Sequence, residues 1–434
     1  MLFGVGVPGL KRTLSACVVS ILISVGLVSC SSYNAPNNTR SGLKFRAFVS
    51  NPLHPGSSGG GVPVLEIIDA SKDVLSPTAV SLIGAEPDAG FMVESPKRDR
   101  TLVFSPSNNG LAIVDNAQES VASTMTLPGT TESMFVWTDN TTAFVAVPSA
   151  PNPGQAAGGV GRINLSIPAI TATIPIPGAH YLIPSPNGNQ VLVISDSANA
   201  VMVLSPALID SGSPLTPVSP PVSAPFDKPV WAVFSSDGST AYVMNCGPEC
   251  GGSVASISVI DMTQSPPTVS PTPIIVPAAT TGLLSGSTLY VAGTPPPAAG
   301  TDCTANLCGV LTVFSSGSLT SLPTELPITD GYHNRIAMGA NGQLFIGSHT
   351  CTNVIASGST PVRGCLSIYN AAAGKVVTPA ANGDTTGIEA ITNRNVVYVV
   401  EGGKVAIYDT TTDQPQTTQV SVIGQPIDVK LADF

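Results

Sequence analysis

Apolar and polar positions follow a two-part pattern that occurs eight times along the chain. The first part is a short run of aromatic or branched residues, starting at Phe48, Leu102, Phe144, Leu192, Tyr242, Tyr290, Phe345 and Tyr398. The second part is an alternating apolar segment that ends in a small polar residue, at Asp69, Asp115, Asn164, Ser205, Asp261, Ser315, Asn370 and Asp409. Alternation of this kind predicts half-buried β-strands.

The spacing of the pattern predicts the architecture. Successive starts lie 54, 42, 48, 50, 48, 55 and 53 residues apart. A strand-rich unit repeated about every 50 residues is typical of a β-propeller. Short apolar strands and turn residues such as Pro186-Asn187-Gly188 precede the first part, and a further, outer strand follows the second part, as in TQVSVIG at residues 418–424. We therefore predict an all-β fold of four-stranded antiparallel blades.

The two ends of the chain predict how the ring closes. The first repeat begins at its second strand, with no inner strand before Phe45, and residues 425–434 look like an inner strand without a partner. Joined in one blade, they would close the ring and remove its free sheet edges. Residues 43–434 are thus expected to form a single propeller of eight blades, with seven as the alternative.

Composition narrows the classes of partner. The chain has 434 residues, of which 43% are hydrophobic and 10% charged, and its formal net charge is −10. The 17 Lys and Arg residues are scattered rather than gathered into a basic groove, so we expect no nucleic-acid partner. A monomer is expected.

The N-terminus resembles an export signal. Lys11 and Arg12 precede an apolar run at residues 14–28, which is too short for a membrane-spanning helix. The following Leu27-Val28-Ser29-Cys30 resembles the lipobox of bacterial lipoproteins. This resemblance implies a signal peptide at residues 1–29, lipidation of Cys30 and a flexible tether at residues 30–42. The expected location is the bacterial cell envelope, with the outer membrane favoured; an ordinary signal peptide is the alternative.

Six further cysteines fall as close neighbours: Cys246 with Cys250, Cys303 with Cys308, and Cys351 with Cys365. Local pairing into three disulfides is the simplest interpretation, and it agrees with an oxidising compartment. Metal binding is the competing interpretation, although only His349 lies near any of these cysteines.

The repeat also resembles a known family. Residues 235–245, SSDGSTAYVMN, and residues 46–51, RAFVSN, are similar to the YVTN-type propeller repeat of the lactonase-like and WD40-like superfamily. Other copies are degenerate, but the resemblance covers nearly all of residues 43–434. It implies a propeller and leaves open a lactonase-like hydrolase that uses a divalent cation in the central channel. Fold resemblance alone does not assign that activity.

Candidate binding residues lie near the starts of inner strands, where the mouth of the central channel is expected. They are Glu132, His180, His333, Asn334 and Arg335. The loops between the two parts of the pattern open on the same face, and five of the eight are lengthened. Those that contain the six cysteines are consecutive. Enlarged loops of this kind are candidates for recognition.

Catalytic chemistry has less support from the sequence. No nucleophile elbow, zinc-protease helix or phosphate-binding loop is present, and no catalytic residue is assigned. The acidic candidates for a cation site, Asp88, Glu132, Glu389 and Asp428, follow no metal-binding spacing. No cofactor is predicted. The leading hypothesis is a lipid-anchored binding or scaffolding module for an envelope protein, glycan or other ligand, and the alternative is the metal-dependent lactonase-like hydrolase.

Overall fold

The alternating segments form β-strands in the computed structural model of the chain. It describes residues 40–433, apart from 57–59, 84–87, 213, 219–224, 299, 316–318, 320–321, 356–360 and 418. The predicted signal peptide and the lipidation site at Cys30 lie outside these residues and stay predictions. Within the described residues, eight four-stranded antiparallel sheets follow one another along the chain.

In blades 2 to 4 the inner strand comes first along the chain and the outer strand last, whereas blade 1 begins with its second strand. Blade 1 contains β1 (Arg46–Pro55), β2 (Gly61–Asp69) and β3 (Val74–Ser81). Blade 2 contains β4 (Met92–Glu94), β5 (Arg100–Ser105), β6 (Gly110–Asp115) and β7 (Ser120–Thr126). Blade 3 contains β8 (Ser133–Val136), β9 (Thr142–Val147), β10 (Gly159–Asn164) and β11 (Ala169–Pro175). Blade 4 contains β12 (Tyr181–Pro184), β13 (Val191–Ser195), β14 (Ala200–Leu204) and β15 (Leu215–Pro217).

The second half of the ring adds longer connections. Blade 5 contains β16 (Pro229–Phe234), β17 (Thr240–Asn245), β18 (Ser256–Asp261) and an outer edge split into β19 (Thr268–Val269) and β20 (Ile274–Ile275). Blade 6 contains β21 (Thr281–Ser285), β22 (Thr288–Gly293), β23 (Gly309–Phe314) and β24 (Thr324–Ile328). Blade 7 contains β25 (Tyr332–Met338), β26 (Gln343–His349), β29 (Leu366–Asn370) and β30 (Lys375–Val377), with the hairpin β27 (Val354–Ile355) and β28 (Pro361–Arg363) inside its long loop. Blade 8 contains β31 (Thr385–Ala390), β32 (Val396–Glu401), β33 (Lys404–Asp409) and β34 (Gln414–Pro415).

The C-terminal strand β35 (Asp428–Leu431) is the inner strand of blade 1. It pairs antiparallel with β1, with Ala47 opposite Leu431 and Ser50 opposite Asp428. The ring is therefore closed by both ends of the described chain, and the prediction of eight blades is confirmed. The inner strands contact one another in blade order around the ring, including β31 with β35 and β35 with β4.

The hydrophobic core is divided among the junctions between blades. In the described part of the chain, buried apolar side chains form eight clusters, each between two neighbouring blades. Ala47 and Val49 pack in the cluster with blade 8, whereas Phe48 between them packs in the cluster with blade 2. Because neighbouring strand residues point to opposite faces, each blade is apolar on both sides. Burial of each large apolar side chain contributes about 1.5–3 kcal/mol.

Side chains from one blade also bond to the backbone of the next. The Oγ of Ser133 in blade 3 accepts a hydrogen bond of 2.8 Å from the N–H of Leu182 in blade 4. The Nε1 of Trp231 in blade 5 donates to the carbonyl of Gly282 in blade 6 at 3.0 Å. Such contacts give partners to backbone groups on the inner edges, which have no further strand beside them.

The last outer strand differs from its prediction. Within the segment TQVSVIG, the described residues 419–424 contribute an isolated bridge between Val420 and Val405 and no strand, and the outer strand of blade 8 is the short β34. Two short 3-10 helices, Pro206–Ser211 and Gly247–Cys250, interrupt the loops. No helix among the described residues has the length and apolar character needed to cross a bilayer.

Candidate functional site

A cavity of about 610 Å³ opens at one end of the ring. Its wall includes residues at or just before the inner strands of seven blades: Ile427, Phe91, Glu132, Tyr181, Trp231, Thr281 and Tyr332, in blade order from 1 to 7. Because the inner strands converge on the central axis, the cavity is the mouth of the channel. The ends of second strands line it too, at Leu53 in β1 and His349 in β26. Its size is that of a small-molecule site.

Glu132 brings a carboxylate to this wall, where His180 lies behind it. The carboxylate Oε2 is 3.5 Å from Nε2 of His180, and Nδ1 of His180 is 3.4 Å from Oδ1 of Asp196. The Glu132 side chain is 68% exposed and that of His180 only 19%, so Glu132 presents the charge while His180 supports it.

Glu132, His180 and Asp196 stabilise one another's ionised forms. Burial by itself would lower the pKa of His180, but hydrogen bonds with Asp196 and Glu132 raise it to about 9. The hydrogen bond with His180 is the main cause that lowers the pKa of Glu132, and the charge of Arg335 adds to it. At neutral pH the cluster is a protonated imidazole between two carboxylates, with a net charge of −1.

Arg335 brings a positive charge to the wall from blade 7. Its Nε donates to the carbonyl of Thr386 in blade 8 at 2.8 Å, and its Nη1 donates to the carbonyl of Asn334 at 3.1 Å. The guanidinium is thus held in place by backbone atoms. Asn334 is exposed and also lines the cavity.

His333 does not reach the cavity, contrary to the expected position at the channel mouth. Its side chain is fully buried, and its Nε2 lies 2.9 Å from the carbonyl oxygen of Thr329. Burial lowers its pKa to about 4. The register of β25 against β26 shifts between His333 and Arg335, as in a β-bulge. A bulge re-aims side chains, so the sequence pattern did not reveal which of these neighbours faces the channel.

Aromatic side chains form a part of the site that the sequence analysis did not identify. Tyr181, Trp231 and Tyr332 are half-buried and line the cavity. Tyr181 and Tyr332 belong to the inner strands of blades 4 and 7 and reach the same cavity. Burial raises the pKa of both, to about 12 for Tyr332, so both stay neutral donors. The recurrence of an aromatic residue at the start of these inner strands was the signal that could have located them.

The acidic residues considered for a cation do not form one site. Asp88 lines the cavity but accepts hydrogen bonds from the N–H and Oγ of Ser107 at 3.0 and 2.8 Å. Asp428 is buried and accepts two backbone N–H groups, and burial raises the pKa of Glu389. Among the residues that the structure describes, no three His, Cys, Asp or Glu side chains are grouped to hold a metal. The donor set therefore does not fit a divalent cation.

The predicted disulfides are confirmed as three local pairs, Cys246–Cys250, Cys303–Cys308 and Cys351–Cys365. Their loops belong to blades 5, 6 and 7 and are joined to one another. The Oε2 of Glu249 accepts a hydrogen bond from the N–H of Thr294 at 2.8 Å. Arg363 donates through Nη2 to the carbonyls of Cys303 and Asn306, the latter at 2.9 Å. Together these loops form a continuous cross-linked rim, called here the disulfide rim, on the cavity side of the ring.

Comparison with known proteins establishes the fold. No protein-family model matches the sequence, and no curated protein matches it. Among solved structures, dihydro-heme d1 dehydrogenase NirN is 14% identical, with a TM-score of 0.60 over 94% of this chain and 78% of that chain. Hydrazine synthase of Kuenenia stuttgartiensis is 13% identical, with a TM-score of 0.54 over 76% of this chain and 95% of that chain. The periplasmic gluconolactonase PpgL of Pseudomonas aeruginosa is 16% identical, with a TM-score of 0.46 over 89% and 98% of the two chains.

All three structures are too distant in sequence to transfer an activity, and the two with TM-scores above 0.5 show a shared architecture alone. The chain is an eight-bladed, all-β propeller.

Proposed function

We propose that this protein is an exported binding module that captures a small polar ligand in the cavity at the channel mouth. The observation that carries the proposal is the cavity wall itself. Seven blades contribute to it, and its charged groups are each held by other protein atoms: Glu132 by His180, Arg335 by the carbonyl of Thr386, and Asp88 by Ser107. Groups that are positioned before binding lose little entropy when a ligand arrives, which favours affinity.

The aromatic residues support binding of a ligand with an apolar face. Tyr181, Trp231 and Tyr332 offer rigid surfaces, while their polar atoms bond within the protein or reach the cavity. Apolar walls with a few fixed polar groups are typical of small-molecule sites. The disulfide rim borders the same opening, where it can contact a larger ligand that extends from the cavity.

The position of the N-terminal segment supports presentation of this face. The strand β1 runs from Arg46 to the region of Leu53, which lines the cavity, so Arg46 lies about 20 Å away at the opposite end of the blade. Ser41 donates from its N–H and Oγ to the carboxylate of Glu119 there, each at 2.5 Å. The described chain thus begins on the face opposite the cavity. We propose that a lipid anchor at Cys30, as expected from the sequence, holds the propeller at the cell envelope and leaves the cavity open to a ligand.

The lactonase-like hydrolase has less support than the binding module. The carboxylate of Glu132 is held in its ionised form beside a protonated imidazole, which suits a hydrogen-bond acceptor better than a general acid. The acidic side chains near the channel have separate partners. For these reasons we propose no hydrolytic step.

Fluorescence of Trp231 provides a direct test. The chain has two tryptophans, so a Trp137→Phe variant leaves Trp231 on the cavity wall as the reporter. This full-length variant would be titrated with a panel of neutral oligosaccharides, organic acids, amino acids and short peptides. We expect at least one class to change the emission with a saturable dependence on concentration, because a ligand in the cavity alters the surroundings of the indole.

The matched controls use the same chemistry away from the channel. Glu132→Gln should weaken the interaction, whereas Glu325→Gln, on the exposed outer strand β24, should leave it unchanged. A panel in which no compound gives saturable binding would overturn the proposal. Equal loss from both Gln variants would also contradict the cavity as the binding site.

A further inference from the structure

Two of the charged groups that line the cavity, Glu132 and Arg335, lie on opposite walls of the channel, whereas the carboxylate of Asp88 is bonded to Ser107. Glu132 directly precedes the inner strand of blade 3, and Arg335 lies on the inner strand of blade 7. The inner strands contact one another in order around a ring of eight, so blades 3 and 7 face each other across the axis. Both residues line the same cavity.

The opposed charges do not neutralise each other directly. Among the ion pairs of the described residues, none joins Glu132 to Arg335, although the guanidinium contributes to the low pKa of the carboxyl. The carboxylate of Glu132 is instead held on its own wall by His180, and the guanidinium of Arg335 is held on the opposite wall by backbone carbonyls. A gap between two fixed, opposite charges therefore remains for a ligand.

The free-energy cost of removing water from the two charged groups indicates which kind of ligand fits this gap. A bound molecule displaces water from both charges, and an ionised group that loses water without a matching charge is strongly disfavoured. A neutral ligand compensates neither the net negative charge of the cluster of Glu132, His180 and Asp196 nor the positive charge of Arg335, and a ligand with a single charge compensates only one of them. A molecule with an ammonium at one end and a carboxylate at the other compensates both, through charge-assisted hydrogen bonds.

The aromatic side chains of the cavity agree with this orientation. Tyr181 stands on blade 4, next to the blade of Glu132, Trp231 stands on blade 5, and Tyr332 lies on the same inner strand as Arg335. Aromatic faces attract an ammonium group and pack against apolar or planar peptide groups. Because the charges stand on opposite walls, the ligand's own charges must be separated along a short chain.

We propose that the channel mouth binds a short linear peptide with free ends, of two or three residues, whose ammonium group lies at Glu132 and whose carboxylate lies at Arg335. This assignment rests on the proposed function and specifies its ligand class. It also gives each wall a separate role, which can be tested by altering the two ends of the ligand one at a time.

Isothermal titration calorimetry on the full chain tests the assignment with four probes: alanyl-phenylalanine, its N-acetyl form, its C-terminal amide and the neutral disaccharide maltose. Removal of either end charge should weaken binding by about ten- to a hundredfold, the amount expected for a charge-assisted hydrogen bond. Maltose should bind more weakly than the free dipeptide. Because the ligand is changed and not the protein, this comparison is independent of any folding defect.

Variants then identify which wall binds which end. Glu132→Gln should weaken binding of the free dipeptide but should have little further effect on the N-acetyl form. Arg335→Met should weaken binding of the free dipeptide but should have little further effect on binding of its C-terminal amide. Lys375→Met, at an exposed position on β30, is the matched control and should leave binding unchanged.

The outcomes separate this inference from the proposed function. If maltose or the capped peptides bind as tightly as the free dipeptide, the peptide assignment is overturned while a binding cavity stands. If none of these probes and no member of the wider panel binds, both are overturned.

Discussion

Asp428 in the C-terminal strand accepts a hydrogen bond from the backbone N–H of Met92, with 3.0 Å between Oδ2 and the nitrogen. Its Oδ1 accepts a second bond, of 2.9 Å, from the N–H of Val429. The carboxylate is buried at the junction of blades 1 and 2, so the last strand of the chain is tied both to β1 and to the following blade. Closure of the ring thus includes a buried polar contact in addition to strand pairing.

Asp428→Ala should therefore destabilise the ring. It leaves two buried N–H groups without an acceptor, which costs about 1–3 kcal/mol. Urea denaturation would measure the change in the free energy of unfolding. The control is Asp433→Ala, which removes a partly exposed ion pair with Arg98 worth about 0–1 kcal/mol. Equal effects of the two variants would show that Asp428 does not stabilise closure.

The stability contributed by His180 should depend on pH. Burial opposes its protonation, but Asp196 and Glu132 raise its pKa in the folded chain to about 9, above the usual value of 6.5. Protonation therefore stabilises the fold fully below about pH 6.5, and this contribution is lost as the pH rises through about 9. The difference in free energy of unfolding between the native chain and His180→Gln should be larger at pH 6 than at pH 10. A constant difference across that range would contradict the charged cluster.

The disulfides should differ in what they contribute. Cys351–Cys365 closes a loop with a sequence separation of 14, whereas Cys246–Cys250 has a separation of 4. Because the longer loop restricts the unfolded chain more, its removal by paired Ala substitutions should cost about 3 kcal/mol, against about 2 kcal/mol for the shorter one. Denaturation of the two double variants measures this order. The reverse order would indicate that rim contacts, rather than chain entropy, decide their contribution.

Two glycines of blade 3 provide a matched test of close packing. Gly154 and Gly158 both have positive φ, of 78° and 130°, but a Cβ at Gly154 meets nothing within 4 Å. At Gly158 it would lie 2.3 Å from the backbone nitrogen of Gly178. Gly154→Ala should cost about 1 kcal/mol through backbone strain alone, and Gly158→Ala distinctly more. Thermal unfolding of the two variants would compare them; similar losses would exclude a packing role for Gly158.

Lipidation at Cys30 can be tested by metabolic labelling. In a bacterial host, the native chain should incorporate radiolabelled palmitate and separate with the membrane fraction. Cys30→Ser should lose the label and leave that fraction, since acyl chains would be its membrane anchor. Cys17→Ser, in the predicted signal peptide, is the control and should keep the label. Labelling that survives Cys30→Ser would contradict the lipobox interpretation.

The strands could be predicted because their signal is local. Alternation around Phe48 and Tyr398 reflects two buried faces, and the period near 50 residues shows that similar units stack on one another. The cysteine pairs were also local, with separations of 4, 5 and 14 residues. The outer strand of blade 8 was misplaced because an edge strand makes few contacts that constrain its sequence.

The placement of the site residues is not a local property of the sequence, since these residues come together only when the ring closes. Glu132, Asn334 and Arg335 were placed near the channel because each stands at the start of an inner strand, and all three line the cavity. His333, beside them in sequence, is buried because a bulge changes the alternation within β25.

The sequence by itself determined the repeat, the strand order and the closure of the ring, because these depend on alternation and spacing along the chain. Only the tertiary structure decided that Glu132 faces Arg335 across the channel and that His180 stands behind Glu132 with Asp196. It also placed Tyr181 and Tyr332, from blades 4 and 7, in the lining of one cavity. Such pairs lie far apart in sequence, and only ring closure sets the geometry between blades that are not neighbours.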